Sequence, residues 1–326
     1  MSASRIPKAL QGLRLPIIAA PMFTVSYPEL VLAQCKAGIV GSFPALNARP
    51  PELLDEWLSN IKEELARHSA AHPGRAVGPL AVNQIVHISN TRLEHDVRVC
   101  VQHQVPIYIT SLRAPVKEII DAVHSYGGIV LHDVISIRHA EKALEAGVDG
   151  LILVAAGAGG HAGNLSPFAL VGEVRAMYPG PIILSGAIST GDAVLGALAM
   201  GADFAYMGTR FIASKEAHAS ELYKEAIVKA QAADIIYTDH FTGIHGNYIK
   251  QSIINAGLDP SNLAPGDAQA FAKLSQAGKD GSGAKAWKDI WGAGQGVGLI
   301  EDAPSVAQIV DTIEREFNAS KQRLLG

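Results

Sequence analysis

The chain has 326 residues, 27 of them Lys or Arg and 31 Asp or Glu, for a net charge of −4, with 48% apolar and 18% charged side chains. That composition belongs to a globular protein of one large domain, or of one domain with an insertion. The mild acidity without basic blocks excludes nucleic acid or an anionic membrane as the main partner, and two cysteines, Cys35 and Cys100, are too few for a disulfide framework.

Eight short runs follow one another: LPIIAAP from Leu15, GIVGSF from Gly38, PLAVNQIV from Pro79, PIYITS from Pro106, GIVLHDV from Gly128, GLILVAA from Gly150, PIILSG from Pro181 and FAYMGTRF from Phe204. Each is rich in Ile, Val and Leu and apolar on both faces, as buried parallel strands require. Between them lie amphipathic stretches read as helices. PELVLAQCKAG follows Ser26, APVKEIIDAVHSYGG sets Val116, Ile119, Ile120 and Val123 on one face, and ISIRHAEKALEAGVD does so with Ile137, Ala140 and Leu144. Helices closing at Gly38, Gly147 and Gly201 use a residue that takes the left-handed conformation after a helix end.

Eight strand–helix units in about two hundred residues specify a (β/α)8 TIM barrel. A doubly wound Rossmann sheet would place G-x-G-x-x-G after its first strand, where this chain has APMF. After Phe211 the rhythm is lost and helical segments such as ASELYKEAIVKAQAAD dominate, until an amphipathic SVAQIVDTIEREFNASKQRLL supplies an eighth helix. The expected division is a barrel of residues 1–213 and 291–326, with a small helical domain, 214–290, inserted after the eighth strand. The opening MSASRIPKALQG lacks the apolar stretch of a secretory signal, and no run approaches the roughly 20 apolar residues of a membrane span. A cytoplasmic location, without membrane or nucleic acid as partner, is the expectation.

Functional groups of such a barrel gather at the C-terminal ends of its strands, with phosphate at the last two loops. Strand seven ends in Ser185-Gly186-Ala187, with Thr190-Gly191-Asp192 opening a helix, and strand eight ends in Met207-Gly208-Thr209-Arg210. Small residues there free backbone N–H groups for a phosphate, or merely permit tight turns. Strand six leads into Gly157-Ala158-Gly159-Gly160-His161-Ala162-Gly163, an imidazole framed by residues that let a planar ligand approach. His132 and Asp133 end strand five, and only one of two adjacent strand residues faces the mouth. Asn83, Gln84 and Ser111 are candidate polar contacts, as is Gln295 within Gly294-Gln295-Gly296. Pro21-Met22-Phe23 offers backbone and apolar contact. Trp287 and Trp291, four apart, read as core packing or a pocket wall. Walker A, G-x-S-x-G and H-E-x-x-H are absent, and the histidines and carboxylates lack metal-ligand spacing, so no metal is expected.

The series LPIIAAPM, GVDGLILVAAGAGGHAG, PIILSGAIST, GADFAYMGTRF and GAGQGVGLI, over almost the whole chain, resembles the nitronate monooxygenase (2-nitropropane dioxygenase) family of FMN-dependent TIM-barrel enzymes. The resemblance implies His161 as the active-site histidine beside the flavin and Gly159 and Gly160 along its ring. It implies Ser185, Gly186, Ala187, Gly208 and Thr209 around the FMN phosphate, Pro21, Met22 and Phe23 as backbone contacts, and Asn83 as a polar one. Two positions depart from the family: Ala19-Ala20-Pro21-Met22 replaces a Q-G-G-M type opening, and Asp133 replaces Gln or Lys. An ionised Asp133 would disfavour an anionic reduced flavin. Either it is protonated, or His132 takes the electrostatic role, or Asp133 points away.

The implied activity is oxidation of alkyl nitronates, and of nitroalkanes if His161 acts as a base, by FMN and O2 to carbonyl compounds and nitrite. The cofactor carries the chemistry and the protein supplies binding and orientation. The alternative is an NAD(P)H-dependent flavin reductase acting on quinones or enones. A non-redox barrel aldolase or isomerase is the third class, and no lysine stands at a strand end for it. A homodimer is also expected.

Overall fold

The computed structural model describes residues 5–266 and 289–326. Nine strands precede the insert: β1 Ile17–Ala19, β2 Gly41–Pro44, β3 Leu80–Val86, β4 Ile107–Leu112, β5 Ile129–Val134, β6 Gly150–Val154, β7 Gly160–His161, β8 Ile182–Ser185 and β9 Phe204–Met207. Between them run α1 Pro28–Lys36, α2 Leu53–Ala71, α3 Leu93–Gln102, α4 Lys117–His124, α5 Ile137–Ala146, α6 Pro167–Met177 and α7 Gly191–Ala199. All strands but β7 form one parallel sheet in the order β1-β9-β8-β6-β5-β4-β3-β2. A parallel bridge from Ile18 to Val40 brings β1 back to the start of β2 and closes the TIM barrel.

Each of the eight apolar runs thus contains a strand, and alternation divides its side chains between two cores. Ile18, Ile107, Ile109, Ile129, Leu131, Ile152 and Ile183 fill the interior. Ile17, Val82, Tyr108, Val130, Leu151, Leu153 and Leu184 face the helices. Ile17 and Ile18, neighbours in sequence, are both fully buried in different layers. Burial of such an aliphatic side chain contributes about 1.5–3 kcal/mol, so apolarity on both strand faces is what the double layer demands. Leu10 packs into the interior from below, with Ile6, Ala9 and Leu13 beside it, plugging the N-terminal end.

The helices end as their sequences direct. Ser136 Oγ caps α5 by accepting from His139 N at 3.3 Å, and Gly147, at φ 95°, stops it. After β9 come α8 Thr209–Ile212, α9 Glu221–Lys229, β10 Ile235–Thr238, β11 Gly246–Ile249, α10 Lys250–Asn255 and α11 Val306–Leu325. The last, α11, packs on α7 and α1, where a barrel's eighth helix belongs.

The expectation of an all-helical insert is corrected. Its described part carries β10 and β11, antiparallel and extended by β7 into a three-stranded sheet in the order β10-β11-β7. These strands are too short for a period of two to register, and the third lies in a glycine loop some eighty residues upstream. Trp287 falls outside the described residues. Trp291 is half-buried and stacks on Tyr223, with centroids 5.2 Å apart and planes 13° apart. Among the described residues no helix is long and apolar enough to cross a membrane.

Candidate active site

The split between inward and outward positions decides which side chains reach the barrel mouth. Leu131 belongs to the interior and Val130 and Val134 to the outer layer, so Asp133 points inward and His132 outward. His132 is buried among the helices with Nδ1 2.8 Å from Thr110 Oγ1, and burial lowers its pKa to about 4. The reading in which His132 faces the flavin is therefore corrected: it is turned away and carries no charge. Asp133 Oδ2 accepts from Ser111 Oγ at 2.7 Å, and Ser111 Oγ accepts from Asn83 Nδ2 at 2.8 Å. Asn83, Ser111 and Asp133 thus form one hydrogen-bonded row across three adjacent strands. Gln84, one residue on from Asn83, points outward to Cys100. Tyr206 enters the interior from β9, close enough that the Asp133 charge helps raise its phenol well above the ordinary range.

His161 sits where the glycine-rich loop becomes β7, paired in register with Gly246 of β11. Its Nε2 lies 3.0 Å from Thr242 Oγ1. That hydroxyl accepts from Ile244 N at 3.2 Å and donates to Ile244 O at 2.9 Å. Its proton already serves a carbonyl, so toward His161 Nε2 the Thr242 hydroxyl offers an oxygen that can accept. Burial lowers His161 to about 4, so the imidazole is neutral near pH 7. Asn247 Nδ2 donates to Ala158 O at 2.6 Å, and Tyr237 OH to Ala162 O at 3.1 Å, fixing the loop on both sides of the histidine.

Three turns meet beside this loop. Gly157 O accepts from Ala187 N at 3.2 Å and from Gln295 N at 2.9 Å. Thr209 Oγ1 accepts from Gly294 N at 2.9 Å. Ser185, Gly186, Ala187, Gly208, Thr209 and Gln295 are thereby brought to one rim with Gly159 and Gly160. Gly186, at φ 147°, and Ala187, at φ 54°, give the turn after β8 its reversal. Pro21-Met22-Phe23 lies next to the turn after β9, for a Cβ on Gly208 would meet Met22 Sδ at 3.5 Å. Asn47 braces this segment, donating to Met22 O at 3.1 Å and accepting from Thr24 N at 3.0 Å. Phe23 is 36% exposed under the Arg49 guanidinium, 5.1 Å from the ring centroid.

The helix opening at Thr190-Gly191-Asp192 does not join this rim. Gly191 N donates to Glu316 Oε2 at 2.7 Å, and a Cβ there would lie 2.2 Å from Ile313 O of α11. This glycine serves helix packing. Nothing in the sequence pattern announced Asn47, Thr242 or Asn247, lone polar residues whose partners lie far along the chain.

The rim fits a flavin on grounds internal to the structure. Among the described residues a Cβ on Gly160, at φ 68°, would meet nothing within 4 Å, an open strip of the kind a planar ring needs. Across the mouth Asp133 Oδ1 is buried without a hydrogen-bond partner, and at the turn after β8 so is Ser189 Oγ, polar atoms of the kind a ligand or water completes.

The nitronate monooxygenase family model matches residues 5–316. A nitronate monooxygenase of Paraburkholderia phytofirmans is 26% identical over 358 residues, covering 97% of this chain and 95% of its own. Among solved structures, FabK from Thermotoga maritima is 27% identical with a TM-score of 0.79, covering 98% of this chain and 97% of its own. The nitroalkane oxidase from Streptomyces ansochromogenes, 22% identical with a TM-score of 0.75 and coverage of 96% and 98%, shares the fold. With barrel, rim and matched length in agreement, the chain belongs to the nitronate monooxygenase family of flavin-dependent oxidoreductases.

Proposed function

We propose that the chain binds FMN at this rim and oxidises alkyl nitronates, and nitroalkanes that first lose a proton, by O2 to carbonyl compounds and nitrite. The observation carrying this reading is a neutral His161, fixed by Thr242 over a glycine strip that shares its rim with the turns after β8 and β9. Ser185, Gly186, Ala187, Gly208, Thr209 and Gln295 would hold the phosphate end. Pro21, Met22, Phe23, Asn83, Gly159 and Gly160 would hold the ring. When bound, FMN supplies the electron acceptor and the reactivity with O2 that no side chain here has.

The protein's own part is binding, orientation and one proton. A nitronate needs no base, and an uncharged His161 lets it enter without a competing cation to trap it. A neutral nitroalkane gives its α-proton to the neutral imidazole of His161, and the imidazolium so formed pairs with the nitronate just made, offsetting the burial that otherwise disfavours the charged ring. The described part of the 214–290 segment, whose hairpin carries Thr242 and Asn247, is proposed as the cover that excludes water and selects the substrate.

Anaerobic stopped-flow mixing tests the reading. Flavin bleaching by a nitronate at a rate matching turnover, with none by NADH or NADPH, is expected. The reverse pattern refutes it in favour of the reductase, and a colourless protein that cannot take up FMN refutes both. His161→Asn is expected to keep FMN while losing about 10²–10⁴-fold in turnover of nitroalkanes. Unchanged turnover would take the histidine out of the mechanism.

A further inference from the structure

Asp133 is an acid in surroundings built for a neutral group. It points into the barrel near the end of β5, and one of its carboxylate oxygens, Oδ2, is fixed by Ser111, which Asn83 holds in turn. The other, Oδ1, is covered and meets no hydrogen-bond donor among the described residues. On the β6 side its register partner is Ile152, followed inward by Val154, both apolar. On the β4 side stand Ser111 and, beyond it, Asn83, both uncharged. The ionisable group facing it across the barrel is Tyr206, itself an acid. His132, its neighbour along β5, turns to the helices. Among the described residues no cation answers the carboxylate, and burial pushes Asp133 up to about 7, against which the Ser111 hydrogen bond works in part.

The residue as a whole still keeps some exposure. A ligand seated on the rim removes that last contact with water, which raises the cost of the charged form and leaves the neutral form almost untouched. We propose that Asp133 is a proton-linked binding residue: it is a neutral carboxylic acid in the flavin complex, so that above neutral pH cofactor binding takes up one proton. The inference rests on the flavin reading above.

The test is FMN binding to the full chain, followed by quenching of FMN fluorescence from about pH 6 to about pH 9, for the wild type, Asp133→Asn and Ser111→Ala. Above the titration of Asp133, linkage weakens wild-type binding by up to about tenfold per pH unit. Asp133→Asn, isosteric and always neutral, lacks this fall, so the ratio of the two dissociation constants grows toward about 100-fold two units above that titration. The FMN phosphate, titrating near about pH 6, affects both proteins alike and cancels in the ratio. Ser111→Ala removes the donor that favours the anion and moves the break to higher pH, which loss of packing alone would not do.

Calorimetry in two buffers of different ionisation enthalpy counts the proton directly: close to one for the wild type at about pH 8 and none for Asp133→Asn. Parallel pH profiles, or binding by the wild type without proton uptake, overturn the proposal and leave the flavin reading standing. No FMN binding by the wild type at any pH overturns that reading and the proposal with it.

Discussion

Replacing Gly186 by Ala tests whether the turn after β8 is shaped for a ligand. At φ 147° this position lies in a region essentially reserved for glycine, where another residue costs about 1–3 kcal/mol. The added Cβ would also stand 2.8 Å from Ala156 O, backbone that cannot swing aside as a side chain can. Together these give about 3 kcal/mol. If the turn keeps its shape, the whole cost appears as lost stability in urea unfolding of the cofactor-free protein. If the turn relaxes, the cost moves to FMN affinity, where about 3 kcal/mol is roughly 150-fold in the dissociation constant. The sum of the two losses is the predicted quantity. A variant that unfolds and binds FMN like the wild type would refute the assignment of this turn. Ala187→Gly is the control: release of the strain at φ 54° is largely cancelled by the about 0.5–1 kcal/mol entropic cost of glycine, so little changes.

Because the folded protein holds Asp133 at about 7 against an ordinary 3.8, it binds more protons than the unfolded chain between those values. Stability from this group is therefore full below about pH 4, declines up to about pH 7 and is flat beyond, a loss of at most about 4 kcal/mol. Cofactor-free Asp133→Asn should melt above the wild type at about pH 8 and show no such advantage at about pH 4, and identical melting at the higher pH would contradict the burial argument. Gly191→Ala should destabilise the fold by about 3 kcal/mol or more through collision with α11 while leaving FMN affinity of the folded fraction intact. A selective loss of FMN would instead return that helix opening to the cofactor site.

The barrel was legible because its eight strands are apolar on both faces and several of its helices stop at glycines such as Gly38, Gly147 and Gly201. That same apolarity hid orientation: with Val130 and Leu131 alike apolar, nothing in GIVLHDV tells which of His132 and Asp133 looks inward, and only the closed sheet decides. The rim was legible in outline, since Gly186 and Gly208 stand at strand ends. Gly191, read as part of a phosphate-binding opening, shows the limit, because a glycine needed for close helix packing looks the same in sequence. The small sheet went unread because β7 is two residues long and β10 and β11 four each. Thr242, Asn247 and Asn47 act on residues between about twenty and ninety positions away, and no local periodicity marks such pairs.

β7 gives His161 two allegiances. It ends the loop that rises from the barrel, and it is also the third strand of the small sheet, matched to Gly246 and tied to Thr242. The imidazole is thus fixed to the small sheet as well as to the barrel loop. If His161 reacts and the hairpin selects, as proposed, the hairpin cannot be remodelled for a bulkier guest independently of the histidine, because Thr242 and Gly246 hold both. On that reading selectivity and reactivity would share a single joint.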